Sequence, residues 1–211
     1  MNVVNYLKET YGYAVPIFLK DIRIGRKSKV AIRKELSRAV QNGEIVRKSQ
    51  GVYCFKNNDA YIDNVTFESI IDRKYVKDDF GFPGLEVVNT FGYYTGLTFK
   101  NQIGISTQVP AVIEVITNNT SCKRVVSIGK RKAIINRPKI DVDYNNYRIL
   151  QFLDLICSLS LDEIKEHFDI LYKYVRAHFT VKNLNDYLDL YPIKVQYLLI
   201  RGGLYNAFRW W

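Results

Sequence analysis

The stretch from Ser28 to Phe55 constrains this chain most. Ser28 is of a type that caps a helix N-terminus, and Gly43 of a type that ends one in the left-handed conformation. Between them, residues 29–42 place Ile32, Leu36, Ala39 and Val40 on one stripe at helical spacing. The chain then reads GEIVRKSQGVYCF. Two β-type runs, 44–48 and 52–55, flank Ser49-Gln50-Gly51, and Gly51 supplies the backbone freedom of a tight turn. Upstream, residues 2–10 predict a short helix with Val3, Val4 and Leu7 turned inward. Residues 15–22 predict a second, with Pro16 tolerated in its first turn. Three helices followed by a hairpin is the order of a winged helix-turn-helix. The polar break Asn57-Asn58-Asp59 marks the expected boundary, so the reading is two domains in an α+β chain. Residues 1–57 form a winged helix-turn-helix domain. Residues 58–211 form a mixed domain with a small β-sheet and a helical tail.

Charge gives the first domain a purpose. Of the net +10, residues 1–56 hold 12 Lys/Arg against 4 Asp/Glu, a surplus of eight, while residues 57–211 hold 19 against 17. A surplus so placed favours a polyanion, nucleic acid before an anionic membrane. With Ile32 at the centre of the buried face, the opposite face carries Lys27, Lys34, Ser37, Arg38 and Gln41, with Val30 and Ala31, and Arg33 lies to one side. Cations mixed with hydrogen-bonding side chains are what a major-groove helix needs. Arg26, Lys27, Lys29, Arg47 and Lys48 are candidate phosphate or minor-groove contacts, the last two from the hairpin. Lys34, Ser37, Arg38 and Gln41 are the better candidates for base edges. Val52, Tyr53 and Phe55 are expected to anchor the hairpin on the core.

The second domain predicts a helix over 65–76, a loop over 78–84 and a helix over 94–103. β-Type runs follow at 112–117, 124–128 and 133–137. The helix over 144–157 is apolar on most sides. Ser160 with Glu163 forms a capping box, with Leu159 and Ile164 as its hydrophobic staple. Thr180 caps a helix over 181–190, and a last helix runs over 193–201. Arg209-Trp210-Trp211 is expected to pack back on these helices.

A search for chemistry yields little. Cys54, Cys122 and Cys157 are odd in number and show no paired spacing, so neither a disulfide framework nor a cysteine metal site is expected, and a cytoplasmic setting fits. No apolar stretch approaches a membrane span, and the start lacks a secretory pattern. His167 and His178 do not form a ligand spacing. The pair Asp141 and Asp143 lacks the Gly-Ser dipeptide of a nucleotidyl-transfer site, and Asp143 reads as a helix cap. No catalytic residue, cofactor or metal site is expected.

Three segments resemble a known family. They are Leu36-Ser37-Arg38-Ala39-Val40-Gln41-Asn42-Gly43-Glu44-Ile45 with Gly51-Val52-Tyr53; Gly92-Tyr93-Tyr94-Thr95-Gly96-Leu97-Thr98 running into Gly104-Ile105-Ser106-Thr107-Gln108-Val109-Pro110; and Thr117-Asn118-Asn119 with the downstream Leu150-Gln151-Phe152-Leu153-Asp154. Over about residues 1–160 the chain resembles the AbiEi-like antitoxins of bacterial type IV toxin–antitoxin (abortive infection) systems, in their compact branch with an N-terminal winged helix. The resemblance implies a DNA-binding repressor of its own promoter, commonly at inverted repeats. It also implies a C-terminal domain that counteracts a nucleotidyltransferase-like toxin. It carries onto Lys34, Arg38, Arg47 and Lys48 as DNA contacts. The segment 106–110 reads first as a structural corner in which Thr107 and Gln108 satisfy backbone groups. Two alternatives stand beside this reading: a protein-binding adaptor built on the winged helix and the Trp-ended tail, and a metal-dependent nuclease or nucleotidyltransferase using Asp141, Asp143 or Glu114.

Overall fold

The computed structural model describes residues 2–12, 15–55, 65–78 and 89–209. The expected boundary at 57–59, most of the loop over 78–84 and the Trp210-Trp211 pair lie outside them. The fold is mixed α+β, with small sheets followed by C-terminal helices. It divides into two compact units, one of residues 1–73 with 127–131 and one of residues 74–126 with 132–211.

In the first unit, α1 (Val3–Tyr11) is capped by Asn2, whose side chain accepts from the Val4 N–H, and it buries Val3, Val4, Leu7 and Tyr11. Helix α2 (Lys29–Gln41) starts where Ser28 Oγ accepts from the Ala31 N–H, and it buries Ile32, Leu36 and Ala39. The hairpin β2 (Ile45–Ser49) and β3 (Val52–Phe55) follows directly, with Gly43 and Gly51 both at positive φ as their places in the turns require.

The expected second helix does not form. Residues Ile17–Phe18 are instead a strand, β1, antiparallel to β3 and paired Ile17 to Tyr53 and Phe18 to Val52. Turns carry the chain from there to Ser28. Strand β3 is therefore central in the order β1-β3-β2, which is why all four of its residues are buried. A two-stranded hairpin is marginal alone, and a third strand satisfies the free edge of β3; this tertiary pairing overrides the local helical pattern. Helix α3 (Phe67–Ile71) is capped by Thr66 and shorter than expected, because the chain widens into a π turn at Asp72–Val76. Phe18, Val52, Cys54, Val65 and Ile70 form one core cluster of this unit.

The second unit contains a short ribbon, β4 (Lys77–Asp78) with β5 (Asn89–Thr90), and strands of a four-stranded sheet. That sheet is ordered β6 (Gly92–Tyr94), β7 (Val112–Thr117), β9 (Arg131–Asn136), β8 (Arg124–Ile128). β6 and β7 are antiparallel, whereas β7 and β9 are parallel from Val112–Lys132 to Ile116–Asn136. Gly92 has the carbonyl oxygens of Tyr75 and Ile116 packed against its Cα, leaving no room for a Cβ. Helix α4 (Gly96–Gln102) leads into the 104–110 corner. That corner is closed by Ser106 and Asn101, not by Thr107 and Gln108: Ser106 Oγ accepts from the Gln108 N–H at 3.1 Å, and Asn101 Nδ2 donates to the Ser106 carbonyl at 3.1 Å. Thr107, Gln108 and Val109 are exposed.

Helix α5 (Tyr147–Ser158) is buried on most sides, as its apolar pattern predicts, and Gln151 is satisfied by donating to the Tyr94 carbonyl at 2.7 Å. Around it pack α6 (Leu161–Glu166), α7 (Phe168–His178), α8 (Val181–Tyr187) and α9 (Ile193–Arg201). The Ser160–Glu163 capping box is present, and Leu159 and Ile164 share the core. Thr180 caps α8 through a reciprocal pair with Asn183. Tyr93 donates to Asp154 at 2.6 Å, and burial beside that carboxylate pushes the phenol far above its ordinary range. Among the described residues no helix is long and apolar enough to cross a membrane.

Candidate functional site

The outer face of α2 is the most distinctive surface of the first unit. The buried stripe fixes the helix rotation, and that rotation leaves Lys29, Arg33, Lys34, Ser37, Arg38 and Gln41 exposed. Val30 is 59% exposed on the same face. Lys34 and Arg38 are four residues apart and therefore neighbours on the helix surface, a repulsive placement of like charges. No ion pair or side-chain hydrogen bond among the described residues engages Lys29, Arg33, Lys34 or Arg38. The first turn of α2 holds no acid and begins with Lys29, so cations stand where the helix dipole is already positive. Both features cost stability in the free protein.

The one acid on α2 is withdrawn from this field. Lys27 Nζ donates to both oxygens of Glu35, at 2.7 and 2.8 Å, and Glu35 also accepts from the Val3 N–H at 3.4 Å. Lys27 precedes the cap residue Ser28, so a helical wheel does not govern it; its side chain is used to tie the turn to α2. It is thus a positioning residue more than an open cation. The ammonium of Lys27 holds the Glu35 carboxyl below its ordinary value. A depressed carboxylate stabilises the fold fully above its unfolded pKa, and that contribution is lost as pH falls through the folded value. Glu35→Gln is expected to lower stability by about 0.5–1 kcal/mol at pH 7. The difference from the parent chain should shrink below about pH 4.5. Urea unfolding followed at pH 7, 5 and 3.5 measures this.

The remaining expected contacts divide. Arg26 is exposed, in the turn ahead of Ser28. A largely apolar cleft of about 460 Å³ lies there, lined by Tyr6, Ile24, Gly25, Arg26 and Lys27. On the hairpin, Arg47 is exposed, with Nε 3.4 Å from the Ser49 carbonyl, while Lys48 is half-buried. The β2–β3 register shifts between Arg47 and Ser49, so Lys48 sits at a bulge. Bulges sharpen the local twist and re-aim side chains. α2 packs against β2, and the Glu44 N–H donates back to the Ala39 carbonyl at 2.9 Å, so helix and hairpin form one rigid corner.

Asp143 Oδ1 accepts from the N–H groups of Asn145 and Asn146 at 2.8 and 2.9 Å, capping the turn ahead of α5. Among the described residues no group of three His, Cys, Asp or Glu is placed to share a metal ion. His178 Nδ1 lies 2.9 Å from the Arg148 guanidinium, which fits a neutral ring accepting there; partial desolvation and that neighbouring positive charge lower its pKa. Cys54, Cys122 and Cys157 form no disulfide among the described residues.

Residues 7–165 match the model of a family described as a family of unknown function, DUF6088. The chain belongs to that family. The match takes in α2, the hairpin, the sheet of the second unit and α5, and ends within α6. A search of curated proteins found no match. The DUF6088 match thus covers the basic helix and the second unit as far as residue 165, without attaching an activity to either.

Sequence reasoning missed one feature. Residues 115–140 contain Lys123, Arg124, Lys130, Arg131, Lys132, Arg137 and Lys139 and no acid. Averaging residues 57–211 to a near-neutral balance hid this run; a sliding charge window reveals it.

Proposed function

We propose that the chain is a DNA-binding transcriptional autoregulator that contacts duplex DNA through α2 and the β2–β3 hairpin. We further propose that it serves as the antitoxin of a type IV system against a nucleotidyltransferase-like toxin, acting in the cytoplasm and without catalysis. The observation that carries the DNA reading is the outer face of α2: Arg33, Lys34, Ser37, Arg38 and Gln41 stand exposed together while Glu35, the helix's one acid, is neutralised by Lys27. In this reading the first unit works as a winged helix whose middle helix has been replaced by β1 and turns. The groove-entering helix and the wing are retained. Phosphate contacts come from Arg26, Lys29 and Arg47, and base contacts from Lys34, Ser37, Arg38 and Gln41.

The antitoxin half rests on the resemblance of residues 1–160 to the AbiEi-like antitoxins. Its test is co-expression with the neighbouring gene, scoring growth. Rescue should require the second unit, and full rescue by the first 57 residues alone would contradict it. A second reading, a protein-binding adaptor, draws on Ile193, Tyr197 and Ile200, which are 82, 52 and 56% exposed along one face of α9. An adaptor's binding would be indifferent to charge reversal on α2.

A further inference from the structure

A polar cleft of about 530 Å³ opens in the second unit, lined by Asn118, Thr120 and Ser121 of the turn after β7 together with Arg124, Arg137 and Asp141. Its walls are tied down by the fold. Asn118 spends its whole amide on Val142, donating to the carbonyl at 2.8 Å and accepting from the N–H at 2.9 Å. Asn119 donates to the Lys74 carbonyl at 3.0 Å. Arg124 is steadied by one guanidinium nitrogen, which donates to the Asn119 carbonyl at 3.3 Å and to the Tyr75 hydroxyl at 3.5 Å, and by the Tyr75 ring 5.7 Å away; its other N–H groups have no partner among the described residues. Arg137 is exposed and makes no ion pair or side-chain hydrogen bond among the described residues. Asp141 lines the same cleft, yet the two do not pair.

Two guanidinium groups, one held and one open, in an acid-free run of sequence form a site for an oxyanion with several acceptor atoms. Arginine forks match phosphoryl oxygens in a bidentate way that a lone ammonium does not. The volume is within the range of small-ligand sites and suits a single nucleotide rather than a bare ion. Asp141 and Ser121 then offer an acceptor and a hydroxyl to the donors of a sugar or base. We propose that this cleft binds the phosphoryl group of a nucleotide, with Arg124 and Arg137 on the phosphate. A free mononucleotide and the terminal phosphate of a nucleic-acid strand share this chemistry.

Calorimetric titration of the full chain with adenosine and guanosine 5′-monophosphate, with the two parent nucleosides, and with a tetranucleotide carrying either a 5′-phosphate or a 5′-hydroxyl tests it. The phosphorylated ligands should bind at least tenfold tighter than their unphosphorylated partners. Arg137→Gln should remove at least tenfold of that affinity, and Arg137→Lys should restore part of it. Tighter binding of the phosphorylated tetranucleotide than of the mononucleotides assigns the site to strand ends, and the reverse order to free nucleotides. Equal binding of phosphorylated and unphosphorylated ligands, or Arg137→Gln binding like the parent chain, overturns the proposal. The Lys34→Glu/Arg38→Glu variant should keep this affinity, so failure here is separable from failure of the duplex-binding reading.

Discussion

Replacing both Lys34 and Arg38 with glutamate is expected to weaken binding to the chain's own promoter DNA by about 10²–10³-fold at 100 mM salt. Each side chain is a candidate for a base-edge contact worth about 1–3 kcal/mol. Each reversal also adds a charge that repels phosphate, so two of them exceed the loss from simple truncation. The fold should tolerate the change. Both side chains are exposed and carry no intramolecular partner among the described residues. Surface substitutions of that kind stay within about 0.5 kcal/mol. Arg38 lies in the last turn of α2, where a cation suits the helix dipole, so its reversal accounts for most of any loss. The matched control is Lys173→Glu with Arg176→Glu on α7, which makes the same change in net charge at exposed positions of the second unit. If affinity reflects only the bulk charge of the chain, the two double variants will behave alike. A localised interface makes the α2 pair far more damaging.

The second large effect belongs to the core. Phe152 is fully buried in α5, with ring centroids 5.4 Å from Phe179, 6.1 Å from Tyr174 and 6.3 Å from Phe208. Its removal opens a cavity that rings from α7 and the chain's last turn cannot collapse to fill. Phe152→Ala should therefore lose about 3–5 kcal/mol of unfolding free energy. Phe152→Leu, which keeps most of the volume, should cost under about 1.5 kcal/mol. Urea unfolding monitored by far-ultraviolet circular dichroism separates them. A loss below about 1 kcal/mol for the alanine variant would mean that this aromatic cluster does not carry the stability assigned to it.

What could be read in advance was local. Ser28, Ser160 with Glu163, and Thr180 announce helix starts through contacts within three residues, and each cap forms as expected. The α2 stripe was equally legible, because a period of 3.6 needs no knowledge of the partner surface. What was not legible depends on distant partners. Ile17 and Phe18 became a strand because β3, some 35 residues later, had an edge to fill. The parallel pairing of β7 with β9 likewise leaves no trace in either strand's composition. The Lys27–Glu35 pair was not legible because Glu35 lies eight residues away, on the other side of a helix cap. The cleft of the second unit escaped because Arg124, Arg137 and Asp141 meet only through the sheet.

The central claim is that exposed cations of α2 and its hairpin meet DNA phosphates, and salt dependence tests it most directly. With Arg26, Lys29 and Arg47 each on a phosphate, log K for promoter DNA should fall against log salt with a slope of roughly −3. The Lys29→Glu/Arg47→Glu variant, which removes two of those phosphate contacts, should reduce that slope by about 2. A slope near zero for the parent chain, or one left unchanged by the double reversal, would contradict the account.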